Sequence, residues 1–218
     1  MTNILRTLAL PVALVATLAV ASCGSGTTTP SAGKPSATAT PTATGSPVGP
    51  PATGASNPAD VAFAKAMISH HFQGVEMADL APTNASDAKV KALAPKIKTA
   101  QGPEITAMAG WLVGGGQPVP DAHGGGQMAG HDMSGMGGAM PGMMSAKDMA
   151  ALGKASGPAF DRMWLQMMVK HHEGAMATAK TELAKGLNVG AKQVAKSVID
   201  RQSAEITTMK SILTGISG

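Results

Sequence analysis

The sequence contains no tyrosine, three phenylalanines and two tryptophans, so aromatic residues make up only 2% of its 218 positions. Such a chain offers few rings on which bases could stack, and its 17 basic residues form no block that would follow a phosphate backbone. Nucleic acid is therefore not expected as a partner, and the formal net charge of +4 reads as a solvated surface of scattered lysines. Cysteine occurs once, at Cys23, which excludes an intramolecular disulfide and leaves almost no thiolate for metal chemistry. Strand patterning is missing. Beyond the N-terminal segment there is no apolar run long enough to cross a bilayer.

The N-terminal segment reads as an export signal. Arg6 gives a positive start, and the apolar run from Leu8 to Ala21, about 14 residues, is short for a membrane span but suits a signal core. It ends Val20-Ala21-Ser22-Cys23, which resembles a bacterial lipobox. The expectation is a signal peptide over 1–22, cleavage before Cys23, and a lipid anchor on that cysteine. An ordinary cleaved signal with a chance cysteine is the alternative. Apart from Cys23, Val48 and Asn57, residues 23–58 are Thr, Ser, Pro, Gly and Ala with one lysine, too poor in bulky apolar surface to offset the entropy of ordering. They read as a disordered tether holding a folded domain, 59–218, away from the membrane.

What the sequence does have is a repeat. Met67-Ile68-Ser69-His70-His71 recurs as Met168-Val169-Lys170-His171-His172, an offset of 171 − 70 = 101 residues. The same offset carries Gln101-x-x-Glu104-Ile105-x-x-Met108 onto Gln202-x-x-Glu205-Ile206-x-x-Met209, with no gap from Met67 to Leu112. A register kept that long indicates one unit used twice. Repeat one is assigned to 59–113 and repeat two to 145–213. Between them, 114–144 is a long loop rich in Gly, Met and His.

Each repeat reads as a helical hairpin. In the first, Phe63, Met67, His70, His71, Gly74 and Met77 recur at three- and four-residue steps behind a capping Asn57 and Pro58. A second helix covers Val90 to Val113, with Pro95 and Pro103 expected to interrupt or kink it. The second repeat places helices over Phe160 to Lys185 and about Ala191 to Leu213, and Ser145 caps a short helix before them. Two hairpins joined by one long crossover predict an all-α four-helix bundle, in which facing helices build sites from inward side chains.

Four of the six histidines lie in the two doublets. At about 100° per residue, each doublet straddles Met67 or Met168, one turn away. A single inward histidine is more often a core residue than a ligand, and methionine is a common core filler. Two copies of Met-x-x-His-His change that balance. The candidate ligands on the helices are His70, His71, His171 and His172 with Met67, Met77, Met108, Met168, Met176 and Met209. In the loop they are His123, Met128, His131, Met133, Met136, Met140, Met143 and Met144. Thioether and imidazole without thiolate suit Cu(I), and imidazole also accepts Cu(II). Gln101, Glu104, Gln202 and Glu205 are duplicated as well, and read as hydrogen-bonding partners that orient the imidazoles.

These residues, together with Glu76-Met77-Ala78, Pro141-Gly142-Met143-Met144, Phe160-Asp161 and Glu173-Gly174-Ala175, resemble the bacterial family 305 of the domains of unknown function. The resemblance covers roughly 59–213. It implies a ferritin-like bundle and copper binding outside the cytoplasm, since the studied members of that family include a cyanobacterial copper-binding protein. The chain departs from the pattern at Phe72, Pro103 and Thr178, so the two copies are expected to bind unequally. The reading is an extracytoplasmic lipoprotein that sequesters copper or hands it on, with copper ions, a copper donor or acceptor protein and the membrane as partners. A ferritin-like oxidase, for example of Cu(I), is the alternative, although no glutamate has a histidine three residues later, as di-iron bundles require. A surface module that docks a partner would not need duplicated inward histidines.

Overall fold

Asn57 starts the first helix by a reciprocal cap. Its side chain accepts from the backbone N–H groups of Ala59 (2.8 Å) and Asp60 (3.1 Å), and Asp60 Oδ2 accepts in return from Asn57 N–H at 2.6 Å. With Pro58 preset at the first helical position, α1 runs over Pro58–Asn84. In the computed structural model the described residues are 54–121 and 140–216. The signal segment with Cys23, most of the tether, and His123, Met128, His131, Met133 and Met136 of the loop lie outside them.

Helix α2 spans Ala88–Gly114 behind an Asp87 cap. It continues through Pro95 and Pro103, so the expected interruption does not occur. Both prolines are exposed, as are Lys91 and Thr99 one turn before them. Water can therefore take the carbonyls that each proline leaves without a donor. The short α3, Ala146–Lys154, begins at a second reciprocal cap between Ser145 and Asp148. Then α4 spans Gly157–Lys185 and α5 Val189–Ile216. Among the described residues the secondary structure is entirely helical.

Helix α1 packs on α2, α4 packs on α5, and α1 lies against α4, while α2 and α5 meet lightly. The apolar interior forms two clusters. One gathers Phe63, Met67, Met108, Leu112, Ala175, Ala179, Ala195 and Val198. The other gathers Met77, Ala78, Ala94, Ile97, Trp164, Met168 and Met209. Advancing Phe63, Met67 and Met108 by 101 residues gives Trp164, Met168 and Met209. Going back by 101 turns Ala195, Val198 and Ala179 into Ala94, Ile97 and Ala78. The repeat therefore relates the clusters to each other, and α1 and α4 cross antiparallel between them.

The same relation ties the hairpins together at their ends. Asp60 Oδ1 accepts from the backbone N–H of Leu187 (2.9 Å) and Asn188 (2.8 Å), where α5 begins. Asp161, 101 residues later, accepts from the N–H of Ser86 (3.1 Å) and Asp87 (2.9 Å) and from the Ser86 hydroxyl, where α2 begins. Each repeat thus caps the second helix of the other.

Candidate metal centre

Between the two apolar clusters the interior turns polar. His70, His71, His171 and His172 are each 0% exposed, and Gln73, Gln101, Glu104 and Gln202 are buried with them. The doublets and Gln73 come from α1 and α4 where these cross, and Gln101, Glu104, Gln202 and Glu205 from the middle of α2 and α5. The rings of His70 and His171 lie face to face with centroids 3.6 Å apart and planes inclined by 30°. His171 and His172 are 6.2 Å apart by the same measure.

The outer histidine of each doublet is held by a glutamate. His71 Nε2 meets Glu104 Oε2 at 2.8 Å, and His172 Nε2 meets Glu205 Oε2 at 2.7 Å. Burial pushes the Glu104 carboxyl up, but the His71 hydrogen bond and the charge of Arg201 outweigh it and leave Glu104 below its ordinary range. Glu104 is thus ionised and can only accept, so His71 donates to it from Nε2, and its Nδ1 is left without a hydrogen bond.

By distance and angle, neither ring nitrogen of the inner pair, His70 and His171, makes a hydrogen bond among the described residues, and the Nδ1 atoms of His71 and His172 have none either, although the backbone of Pro141 and of His171 comes close enough to the His70 ring, and that of His70 to the His171 ring, to oppose their loss of basicity. Six buried ring nitrogens without a partner are expensive, since each forgoes the water it would hold in the unfolded chain. Burial, aided by the neighbouring imidazoles, holds His70 and His171 well below the ordinary histidine pKa. Both are neutral near pH 7 and present lone pairs, as a metal ligand must.

The thioethers lie around this layer. Met67 and Met168 are fully buried within a turn of the doublets, and Met77, Met108 and Met209 are buried in the flanking clusters. Met176 is half-buried. Of the loop methionines, Met144 is buried, while Met140 and Met143 are half-buried. Among the described residues no three His, Cys, Asp or Glu side chains already surround a single point. An ion would therefore need the stacked rings to turn apart, or would need methionine sulfur beside imidazole.

One residue was not singled out from sequence. Arg201 donates to Glu104, to the Ala100 carbonyl at 2.8 Å and to the Ser197 hydroxyl at 2.7 Å. Its counterpart in the first repeat is Ala100, so only Glu104 is pinned by a cation, and the halves are unequal for a reason other than Phe72 or Pro103. Glutamine 101 fills the space beside Gly74, where a Cβ would also meet the His171 ring at 3.1 Å. For Arg201 the available signal was its mismatch with Ala100 in a register without gaps.

The family model of the domain of unknown function 305 matches residues 60–213, and the chain belongs to that family. No curated protein matches it. Among solved structures it is similar to a DUF305 protein from Streptomyces coelicolor, described as secreted, at 30% identity and TM-score 0.64, covering 73% of this chain and 94% of that one. It is similar to a DUF305 fragment from Deinococcus radiodurans at 25% identity and TM-score 0.63, covering 74% and 99%. It is also similar to CopM in its Cu(I)-bound form at 28% identity and TM-score 0.58, covering 73% and 98%. CopM has also been solved with Cu(II) and with Ag.

Proposed function

We propose that this protein is an extracytoplasmic copper-binding lipoprotein that sequesters copper or hands it on, using histidine and methionine ligands held in a ferritin-like four-helix bundle. The observation that carries this reading is the set of six unpartnered imidazole nitrogens buried at the crossing of α1 and α4. A core that merely needed filling would not bury six imidazole nitrogens without hydrogen bonds. Copper is the cargo best matched to imidazole with thioether. The likeness to CopM, solved with Cu(I), Cu(II) and Ag, supports the same choice.

In this reading His70, His71, His171 and His172 supply nitrogen, with Met67 and Met168 as the nearest sulfurs. Glu104 and Glu205 fix the outer rings so that Nδ1 faces the ion. Both glutamates are engaged by histidine, and Glu104 also by Arg201, which leaves fewer free inward carboxylates than an oxidase centre of the ferritin kind needs. The loop methionines and histidines, His123 to Met144, serve as a capture segment. The proposed organisation is a signal over 1–22, a tether over 23–58 anchored through lipid on Cys23, and a bundle over 59–218.

The test is substitution of all four histidines by alanine, with Cu(I) affinity measured by chelator competition and helicity by circular dichroism. Loss of a positioned ligand costs more than the 10- to 100-fold typical of its outer partners, so affinity should fall by over about 100-fold. A helical quadruple variant with wild-type affinity would overturn the reading.

A further inference from the structure

The histidine layer is closed on one side by a short stretch of the crossover. Gln73, on α1, grips Met144 by both ends of its amide: Oε1 accepts from Met144 N–H at 2.7 Å, and Nε2 donates to the Met144 carbonyl at 2.9 Å. Gln73 is itself only 3% exposed, so this two-point bond is shielded from water. Two and three residues back, at Gly142 and Pro141, the chain lies against α4. A Cβ on Gly142 would meet the Lys170 carbonyl at 2.6 Å and the His171 carbonyl at 3.0 Å, and Gly142 has φ +83°. A Cβ on Gly174 would overlap the Pro141 carbonyl outright. Met140 packs on the cluster that contains Met67. Residues 140–144 therefore bridge α1 to α4 over the crossing where His70 stacks on His171.

The repeat shows that this bridge is built in. Gln73 and Gly174 are the same position of the two copies, 174 − 73 = 101 residues apart. One copy has a side chain that holds the strap, and the other has none, which lets the strap in. A packing role alone would be met by similar residues in both copies.

We infer that Gln73 is a positioning residue that latches the strap Met140–Met144 over the four histidines, and that this latch sets how fast a soft metal ion reaches and leaves the imidazoles. The inference rests on the copper reading for the identity of the ion, while the latch itself rests on the contacts above. Releasing the strap uncovers the α1–α4 seam without removing any ligand on the helices. Exchange rates then change more than the fold does, because the helices keep both apolar clusters.

Gln73→Ala, Gln73→Glu and Gly142→Ala are compared with the full wild-type chain. Glutamate keeps the bond from Met144 N–H and loses the one to its carbonyl. Alanine at 142 wedges the strap away from α4 while leaving Gln73 intact. In the metal-free proteins, diethyl pyrocarbonate modification followed residue by residue in mass spectra should proceed about tenfold faster at His70 and His171 in Gln73→Ala and Gly142→Ala, with Gln73→Glu between. Transfer of Cu(I) to a competing chelator should accelerate in the same order. Helical variants with wild-type labelling at these histidines would overturn the latch. Failure of the wild-type chain to bind Cu(I) would overturn the copper reading, whereas the labelling alone decides whether the strap is latched.

Discussion

Glu182 stands where the first repeat has Ala81, and it is a buried carboxylate facing another. Asp60, its neighbour, is engaged by the N–H groups of Asn57, Leu187 and Asn188. Burial raises Asp60, but those donors and the Glu182 contact bring it below its ordinary value. Burial, together with the Asp60 charge, pushes Glu182 the other way, up to about 7, with Lys192 opposing weakly. Two neighbouring carboxyl groups can share a hydrogen bond only while one of them, here Glu182, holds its proton. Because the folded pKa lies above the unfolded one, the contribution of Glu182 is full below about pH 4.5, declines as pH rises, and is gone above about 7. Glu182→Gln keeps the donor permanently. It should raise the melting temperature at pH 8, by stability on the order of 1–3 kcal/mol, and leave it little changed at pH 4. Equal pH profiles for variant and wild type between pH 4 and 8 would show that the pair does not carry this dependence. Nothing in the sequence pointed to Glu182 except its mismatch with Ala81, because its partner is 122 residues away.

At the scale of elements, the hairpins are coupled by their caps. Asp161 satisfies two backbone donors and a hydroxyl at the start of α2, and Asp60 satisfies two backbone donors at the start of α5. Asp161→Asn replaces a carboxylate that only accepts with an amide that must turn one donor toward N–H groups. The loss should be about 1–3 kcal/mol, or several degrees in melting temperature. Thermal unfolding followed by circular dichroism checks it, and an unchanged midpoint would mean that Ser86 and Asp87 are capped by water instead. The helices themselves were legible from apolar spacing and from Asn57, Ser145 and Gly186. The continuity of α2 was not, because whether a proline breaks a helix depends on what surrounds the carbonyl it orphans. Here Lys91 and Thr99 face water.

For the whole molecule, the anchoring proposal separates the place of work from the chemistry. No helix among the described residues is long and apolar enough to cross a membrane. The membrane partner proposed for this chain is reached through Cys23, where a lipid chain would supply about 0.8 kcal/mol per buried methylene. Cys23→Ala should leave Cu(I) affinity of the purified chain unchanged while moving the protein out of the membrane fraction or leaving its signal uncleaved. Intact mass of the native protein reads the lipid directly, and an unmodified N-terminus elsewhere would end the anchoring proposal.

The sequence by itself determined the repeat, its 101-residue offset, the all-helical class and the histidine doublets, because each is a matter of local spacing and of comparing one half of the chain with the other. Membership of the family followed from the same motifs. Tertiary structure alone decided which atoms of those residues are free. Spacing placed Glu104 and Glu205 beside histidines as a class of partner, but only the crossing of α1 with α4 left six imidazole nitrogens without hydrogen bonds and stacked His70 on His171. It likewise brought Arg201 to Glu104 and Gln73 to Met144 across 97 and 71 residues. Contacts at such separations are set by how the two hairpins dock. The docking depends on burial summed over both apolar clusters, which no local window of sequence contains.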